Sequence, residues 1–173
     1  VTPRFAPTSS DAQLAMAARL LAEHDGLYMQ THVAENPDEV RWVAELFPEA
    51  RSYLDVYERF GLLNERAVLA HGIWLDDADR CLLHERGAQI AHSPSSNLFL
   101  GSGFFDYAGA DRVGFRYGLA SDVGGGTSFS PFHTMLAAYT AGREGQTKAG
   151  LSLSPQHLWW QHTAGAAQAL GLG

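Results

Sequence analysis

Short apolar runs alternate with amphipathic stretches along most of this sequence. In residues 37–47 the apolar positions recur at steps of three and four, which predicts a helix, and Pro37 suits a first helical turn. Between such stretches lie apolar runs of about five residues, a length typical of strands in compact domains. These runs predict strands at residues 27–32, 67–71, 88–92 and 114–121.

Further helices are predicted from start and stop signals. Asp76 is a suitable N-cap, and Gly87 a suitable C-terminal stop, for a helix between them. Because strands joined through helices pair in parallel, the fold class is α/β. A doubly wound sheet and part of a (β/α)₈ barrel both fit this pattern. Other helices are predicted at residues 53–60, 104–110 and 130–141 and from Ser154 onward, with an exposed loop over 142–150.

The composition is typical of a globular protein and argues against some classes of binding partner. The 173 residues suffice for one domain with a core, and their formal net charge of −7 argues against nucleic acid or an anionic membrane as a partner. No stretch approaches the roughly 20 apolar residues of a membrane helix. The single cysteine, Cys81, cannot form an internal disulfide, which suits a reducing cytoplasm. We expect it to be buried as a small apolar residue.

Chemically reactive side chains stand at the ends of the predicted strands. His32, His71 and His92 end three of them, and Asp122 follows the fourth. Because the carboxyl ends of parallel strands lie on one face, these side chains are expected to converge there, as catalytic groups do in (β/α)₈ enzymes. Imidazoles and carboxylates are ligands of Zn²⁺ and similar divalent ions, so the pattern predicts an open, catalytic metal site.

Polar residues beside these strand ends have two readings each. Glu35, three residues beyond His32, either reaches the same cavity or satisfies amides at the start of the next helix. Glycines 124–126 either let the backbone pass close to a ligand beside Asp122 or form a plain loop. The turn predicted at residues 95–97 either caps local backbone groups or lines the site. The remaining histidines are interpreted as structural, namely His24, His84, His133, His157 and His162.

Several segments carry a family resemblance. They occur in order and cover nearly the whole chain: TPRF at 2–5, QTHVAEN at 30–36, SYLDVY at 52–57, FGLL at 60–63, AHG at 70–72, SNLFLGSG at 96–103 and SDVGGGTS at 121–128. Together they resemble the guanine deaminases, a family within the amidohydrolase superfamily of metal-dependent (β/α)₈-barrel hydrolases.

The resemblance implies a role for each candidate site residue. His32 is expected to be a metal ligand, and Asp122 a second ligand that also accepts the proton of the attacking water. His71 is expected to orient the hydroxide or the substrate, although some superfamily members use this position as a ligand. The implied metal is Zn²⁺, with Fe²⁺ as the alternative. His92 is expected only to line the site.

The remaining implied roles concern the substrate. Glu35 is expected to protonate a ring nitrogen and to carry protons to the leaving amine. Arg4 is expected to donate hydrogen bonds to the purine carbonyl edge, and Phe5 to pack on the ring, so that substrate contacts come from Arg4, Phe5, His32, Glu35 and Asp122. The implied reaction is the hydrolysis of guanine to xanthine and ammonia, in the cytoplasm.

The chain departs from the family pattern in one respect. A complete member has a His-x-His pair at the end of strand 1, and no His-x-His occurs in this sequence. Since a full barrel needs about 250 residues, we expect residues 1–173 to be a partial barrel domain, from about strand 4 to the helix after strand 8, without the N-terminal strands and the small β-domain. The isolated chain is then expected to be inactive.

Open alternatives remain for assembly and for function. The chain would associate with the absent N-terminal segment or form a homodimer, because open sheet edges favour association. Another deaminase or a chlorohydrolase of the same superfamily, acting on a different heterocycle, would carry the same catalytic positions. A non-catalytic domain that retains these residues as relics is the alternative of a different class.

Overall fold

The computed structural model describes residues 1–144, 151 and 153–172 of the chain. Strands and helices alternate along it, as the apolar pattern predicts. The strands are β1 (Met29–Val33), β2 (Ala67–His71), β3 (Gln89–His92) and β4 (Arg116–Leu119). The helices are α1 (Asp11–Glu23), α2 (Pro37–Leu46), α3 (Tyr53–Arg59), α4 (Asp77–Arg86), α5 (Pro94–Phe99), α6 (Tyr107–Val113), α7 (Pro131–Glu144), α8 (Pro155–His162) and α9 (Ala164–Ala169).

The strands described form one parallel sheet in the order β1-β2-β3-β4. Val33 of β1 is level with His71 of β2, and His92 of β3 is level with Leu119 of β4. The carboxyl ends of all these strands therefore lie along the same edge of the sheet. The predicted α/β class with parallel pairing is confirmed.

The first residues of the chain extend the sheet beyond β1. The Val1 ammonium group donates to the carbonyl of Tyr28 at 2.7 Å, and the N–H of Gln30 donates to the carbonyl of Val1 at 3.0 Å. The His32 N–H donates to the Arg4 carbonyl at 3.1 Å. This alternation is the hydrogen-bond pattern of parallel pairing, so it brings Arg4 beside the carboxyl end of β1.

The core lies between the sheet and its helices. Burial of a large apolar side chain contributes about 1.5–3 kcal/mol to folding, and every strand and most of the helices described supply at least one. Among the fully buried apolar side chains are Leu14 of α1, Met29 of β1, Leu54 of α3, Leu69 of β2, Leu83 of α4 and Ile90 of β3.

Local capping signals define two helix starts as predicted. The Asp76 side chain accepts from the N–H of Asp79 at 2.7 Å, and Gly87 ends α4 in the left-handed conformation with φ of 65°. Asn36 forms a capping box with Glu39 at the start of α2. Each such cap contributes about 1 kcal/mol because it satisfies N–H groups that have no partner within the helix.

Four expectations need correction. Residues 95–97 belong to α5 rather than to a turn, and α6 begins at Tyr107 because the Asp106 carboxylate caps Gly109. The predicted loop at 142–150 is wrong for its first residues, because α7 continues to Glu144, while residues 145–150 lie outside the described part of the chain. Cys81 is exposed on α4 rather than buried.

Within the described ranges, no helix has the length and apolar character needed to cross a membrane.

Candidate active site

Two of the predicted histidines meet at the ends of β1 and β2. The rings of His32 and His71 are stacked, with centroids 5.5 Å apart and an interplanar angle of 25°. His71 is buried, with 2% of its surface exposed, whereas His32 is half-buried and reaches the surface. Their contact follows from the register of the two strands, since His71 is level with the residue after His32.

Glu35 joins this pair from the loop after β1. Its Oε2 lies 3.6 Å from Nε2 of His71, and its Oε1 accepts a hydrogen bond from the Ser102 hydroxyl at 3.0 Å. The alternative reading, that Glu35 satisfies the first amides of α2, does not apply to its side chain. Asn36 and Glu39 perform that capping instead, which leaves the Glu35 carboxylate directed toward His71 and Ser102.

The opposite side of His32 is held by the first residues of the chain. Its Nδ1 lies 2.7 Å from the Arg4 carbonyl oxygen, which can only accept, so Nδ1 carries the hydrogen and Nε2 is free for another contact. The Phe5 ring stands edge-on to the imidazole at 6.4 Å, and the Arg4 guanidinium lies 5.3 Å from the Phe5 centroid. Arg4 and Phe5 therefore adjoin His32, and their contacts with a substrate stay a prediction.

Tyr57 holds the backbone of His32 and the first residues of the chain together. Its buried hydroxyl donates to the His32 carbonyl at 2.7 Å and accepts from the Ala6 N–H at 3.0 Å. Burial raises the pKa of Tyr57 to about 12, which keeps the hydroxyl protonated and able to donate. One side chain of α3 thus connects β1 to the segment that carries Arg4 and Phe5.

Asp122 lies in a loop after β4 that is closely packed at two of its glycines. A Cβ on Gly126 would be 1.8 Å from the Ser121 carbonyl oxygen. A Cβ on Gly125 would be 3.0 Å from Oδ2 of Asp122 and 2.7 Å from the buried Ser96 hydroxyl. Gly125 and Gly126 are therefore positions where the surrounding atoms leave little room for a side chain. The close approach of this loop to a ligand beside Asp122 stays a prediction.

Backbone strain is concentrated at the same strand ends. Among the described residues, the non-glycine residues with positive φ are Ala34 at 48°, His71 at 74° and Asp122 at 48°. Each lies at or just after the carboxyl end of a strand. Such left-handed conformations cost about 1–2 kcal/mol per residue and cluster where geometry serves function.

His92 does not line the site, contrary to expectation. It is fully buried, its ring stacks on Phe105 at 4.4 Å, and its Nε2 lies 2.7 Å from the Tyr107 hydroxyl. Burial, and to a lesser extent the neighbouring His71, lowers the pKa of His92 from 6.5 to about 3. His92 is therefore a neutral histidine of the core.

Two more residues belong to the site, and the sequence suggested only one of them, because residues 95–97 had lining the site as one of two readings. Asn97 is buried on α5, and its Oδ1 lies 2.9 Å from Nδ1 of His71. Ser102 contacts Glu35 through its hydroxyl, and its backbone carbonyl accepts a hydrogen bond from the Trp74 indole at 2.9 Å. Both belong to the SNLFLGSG segment at 96–103, and for Ser102 this family resemblance was the one signal.

The other histidines occupy separate positions. His24 is the C-cap of α1, His84 contacts the Gly114 carbonyl at 3.1 Å, and Nε2 of His133 lies 3.0 Å from the Thr127 hydroxyl. His157 and His162 are in α8. In residues 1–144, 151 and 153–172, no group of three or more His, Cys, Asp or Glu side chains could hold a metal ion. The ligand roles of His32, His71 and Asp122 stay predictions.

Comparison with known proteins identifies the relatives of this chain. The sequence profile of the Amidohydrolase family matches residues 1–173. Guanine deaminase of Escherichia coli strain K12 is 40% identical over 172 residues, which cover 99% of this chain and 38% of that relative. The solved E. coli guanine deaminase has a TM-score of 0.92 and 40% identity, covering 98% of this chain and 39% of that chain.

Two further solved structures are similar. Guanine deaminase from C. acetobutylicum, with guanine bound in its active site, has a TM-score of 0.91 and 27% identity, covering 98% of this chain and 41% of that chain. An adenosine deaminase from Xanthomonas campestris, with zinc bound, has a TM-score of 0.85 and 26% identity, covering 99% of this chain and 38% of that chain. The chain spans about 38% of the length of the curated relative.

These matches confirm the resemblance to guanine deaminases drawn from the sequence segments. The chain belongs to the amidohydrolase family.

Proposed function

We propose that this chain is the C-terminal part of an enzyme that hydrolyses guanine to xanthine and ammonia. The observation that carries the proposal is the meeting of His32, His71 and Glu35 at the ends of two adjacent parallel strands. It is supported by the 40% identity to E. coli guanine deaminase and by the likeness to a guanine deaminase solved with guanine bound.

The donor chemistry of the site suits a divalent metal ion. Nδ1 of His32 is occupied by a backbone carbonyl, the usual arrangement that orients a ligating imidazole and leaves Nε2 available. His32 and Asp122 would hold the ion, with His71 as a further ligand or as the group that orients the substrate. When bound, such an ion supplies a water acidified to a pKa of about 7, compared with 15.7 in bulk. Zn²⁺ is our choice, because a similar deaminase was solved with zinc, and Fe²⁺ is the alternative.

Two carboxylates would move the protons. Asp122 accepts the proton of the attacking water, in a loop where Gly125 and Gly126 let the backbone approach closely. Glu35 starts protonated and donates that proton to a ring nitrogen of the purine. It then takes the proton of the hydroxyl group added at the ring carbon and delivers it to the departing amine. The proton held by Asp122 returns to Glu35, so the two protons of the water end on the ring nitrogen and on ammonia. The Ser102 hydroxyl, which donates to Oε1, holds the Glu35 carboxyl group in one orientation for these transfers. Nε2 of His71 lies 3.6 Å from its Oε2.

The first residues would bind the purine. The Arg4 guanidinium is exposed and close to the Phe5 ring, so it can donate hydrogen bonds to the carbonyl edge of a ring that packs on Phe5. The Arg4 carbonyl simultaneously holds His32, so substrate recognition and the metal ligand share one backbone segment.

The proposal also concerns the extent of the domain. Residues 1–173 would form part of a (β/α)₈ barrel, from about strand 4, represented by residues 1–4, to the helix after strand 8. The remaining strands would supply further ligands, either from the same polypeptide or by association, with a homodimer as the alternative assembly. The cytoplasmic location expected from the single cysteine stays a prediction.

Turnover of guanine by the complete protein tests the function. Xanthine formation should fall by about 10²- to 10⁴-fold in Glu35→Gln, because a positioned acid and base contribute that much. Glu45→Gln, which changes an exposed carboxylate on α2, is the matched control and should retain full activity. Robust activity of the 173-residue chain alone would contradict the partial-barrel proposal. No guanine turnover by the complete protein would contradict the function.

A second substrate has one observation in its favour, the likeness to the adenosine deaminase of X. campestris. The proton-transfer residues would serve either purine, because both reactions replace a ring amine by oxygen. Comparing guanine, adenine, adenosine and a chlorotriazine as substrates of the complete protein separates these readings. Absence of turnover with all four, in protein loaded with Zn²⁺, would favour a non-catalytic domain.

A further inference from the structure

A line of buried hydrogen bonds leads away from the active-site histidine His71. Nδ1 of His71 lies 2.9 Å from Oδ1 of Asn97, and both residues are almost completely buried, with 2% and 1% of their surfaces exposed. An amide oxygen can only accept a hydrogen bond. Nδ1 of His71 must therefore carry a hydrogen wherever this contact is made.

The orientation of the Asn97 amide is determined at its other end. Its Nδ2 lies 3.5 Å from Nδ1 of His92, and Nε2 of His92 lies 2.7 Å from the Tyr107 hydroxyl. The Tyr107 hydroxyl is in turn 3.4 Å from the backbone carbonyl of Ala138 in α7. With Tyr107 donating to that carbonyl, its oxygen receives the Nε2 hydrogen of His92. Nδ1 of His92 then accepts from the Asn97 amide nitrogen.

The assignment of donors and acceptors along these hydrogen bonds therefore extends to His71 in the active site. Each group has its donor and acceptor assigned by the next, from the Ala138 carbonyl through Tyr107, His92 and Asn97 to His71. With Nδ1 of His71 protonated, its Nε2 presents a lone pair 3.6 Å from Oε2 of Glu35. A side chain that only filled space at position 97 would leave both nitrogens of His71 free to exchange roles.

We propose that Asn97 is a positioning residue that holds His71 with its hydrogen on Nδ1, so that the Nε2 lone pair faces Glu35 and the reacting molecule. The inference rests on the proposed function for its catalytic consequence, but not for the hydrogen position itself. It assigns a task to the buried His92 and Tyr107, which orient the amide without touching the site. Partners of this kind, placed behind an imidazole, typically change activity by about 10- to 100-fold when removed.

The hydrogen position is measured directly by NMR. Long-range ¹H–¹⁵N spectra of the complete protein, labelled with ¹⁵N-histidine, distinguish the two nitrogens, and His71→Gln identifies the His71 signals. We expect wild-type His71 to carry its hydrogen on Nδ1. A hydrogen on Nε2 instead overturns the proposal. Because this measurement is made on the wild-type protein, it does not depend on whether a variant at position 97 folds.

Variants then test the consequence. Asn97→Leu should mix the two forms of His71 and lower kcat for guanine by about 10- to 100-fold with little change in KM. Asn97→Asp keeps an oxygen acceptor for Nδ1 and should restore the wild-type hydrogen position and most of kcat. Leu98→Ala, which truncates an exposed neighbour on the same helix, should change neither.

Contrary outcomes are equally clear. If His71 keeps its hydrogen on Nδ1 in Asn97→Leu, or if Asn97→Asp is as impaired as Asn97→Leu, Asn97 does not act by positioning. If the complete wild-type protein turns over no guanine, the proposed function fails, while the NMR measurement still decides the inference about Asn97.

Discussion

The carboxylate of Glu39 holds the backbone of Glu35. Oε2 of Glu39 accepts from the Glu35 N–H at 2.9 Å, while its Oε1 accepts from the Tyr53 hydroxyl at 2.8 Å. Glu39 is itself buried on the first turn of α2, and Tyr53 is buried on α3. The candidate proton donor is therefore fixed at the main chain by one helix and at the side chain by Ser102.

Removing the Glu39 carboxylate should affect both stability and activity. We expect Glu39→Ala to lower the free energy of unfolding by about 0.5–2 kcal/mol, because a helix cap and two hydrogen bonds are lost. Guanine turnover should fall as well, since Glu35 loses its main-chain anchor. Urea unfolding and steady-state kinetics of the complete protein measure the two effects. Asp38→Ala, which removes an exposed carboxylate from the same turn, should leave turnover unchanged.

Ser102→Ala should lower kcat for guanine by about ten- to a hundredfold. A hydrogen bond to a charged group contributes about 1.5–3 kcal/mol, and here it orients the Glu35 carboxylate. The control is Ser10→Ala, whose hydroxyl caps α1 by accepting from the Gln13 N–H at 3.3 Å. That variant also loses a hydrogen bond of a serine hydroxyl, and with it some stability, but it should keep its kcat. Equal kcat values for the two variants would contradict a role for Ser102 beyond structure.

The buried His92 should make stability depend on pH. Its pKa is lowered from 6.5 to about 3 by burial, so the unfolded chain binds a proton that the folded protein does not between these two values. The free energy of unfolding should therefore fall as pH decreases from about 6.5 toward 3, by about 1.4 kcal/mol per pH unit from this group, and be insensitive to this group above that range.

Thermal and urea unfolding at several pH values test this dependence. His92→Gln removes the titrating group, so its stability relative to the wild type should improve steadily as pH falls within this range. Parallel stability curves for the two proteins would show that His92 does not titrate as its burial implies. His24→Gln, at the exposed C-cap of α1, is the control and should follow the wild-type curve closely.

Cys81 should react readily with thiol reagents in the folded protein. It is a free cysteine, exposed on α4, outside the residues proposed for catalysis. We expect full labelling by a chromogenic disulfide reagent without denaturant, and no loss of guanine turnover. Cys81→Ser should abolish labelling. Labelling that requires denaturant would mean that Cys81 is covered in the complete protein.

The sequence by itself determined the features that depend on neighbouring residues. Apolar spacing located β1 and α2, and the caps at Asp76 and Gly87 located α4, because these signals act over one or two helical turns. The parallel α/β class followed from strands joined through helices, and the convergence of His32 with His71 followed from the class. Glycines beside Asp122 suggested a close backbone approach, although spacing alone did not exclude a plain loop.

Only the tertiary structure decided which side chains meet. His92 ends its strand just as His71 does, yet its ring packs on Phe105 in the core rather than in the site. Asn97 contacts His71 across 26 positions of the chain, and Ser102 contacts Glu35 across 67. Such contacts depend on side-chain direction, helix placement and strained backbone at strand ends, which arise only when the whole sheet and its helices pack together.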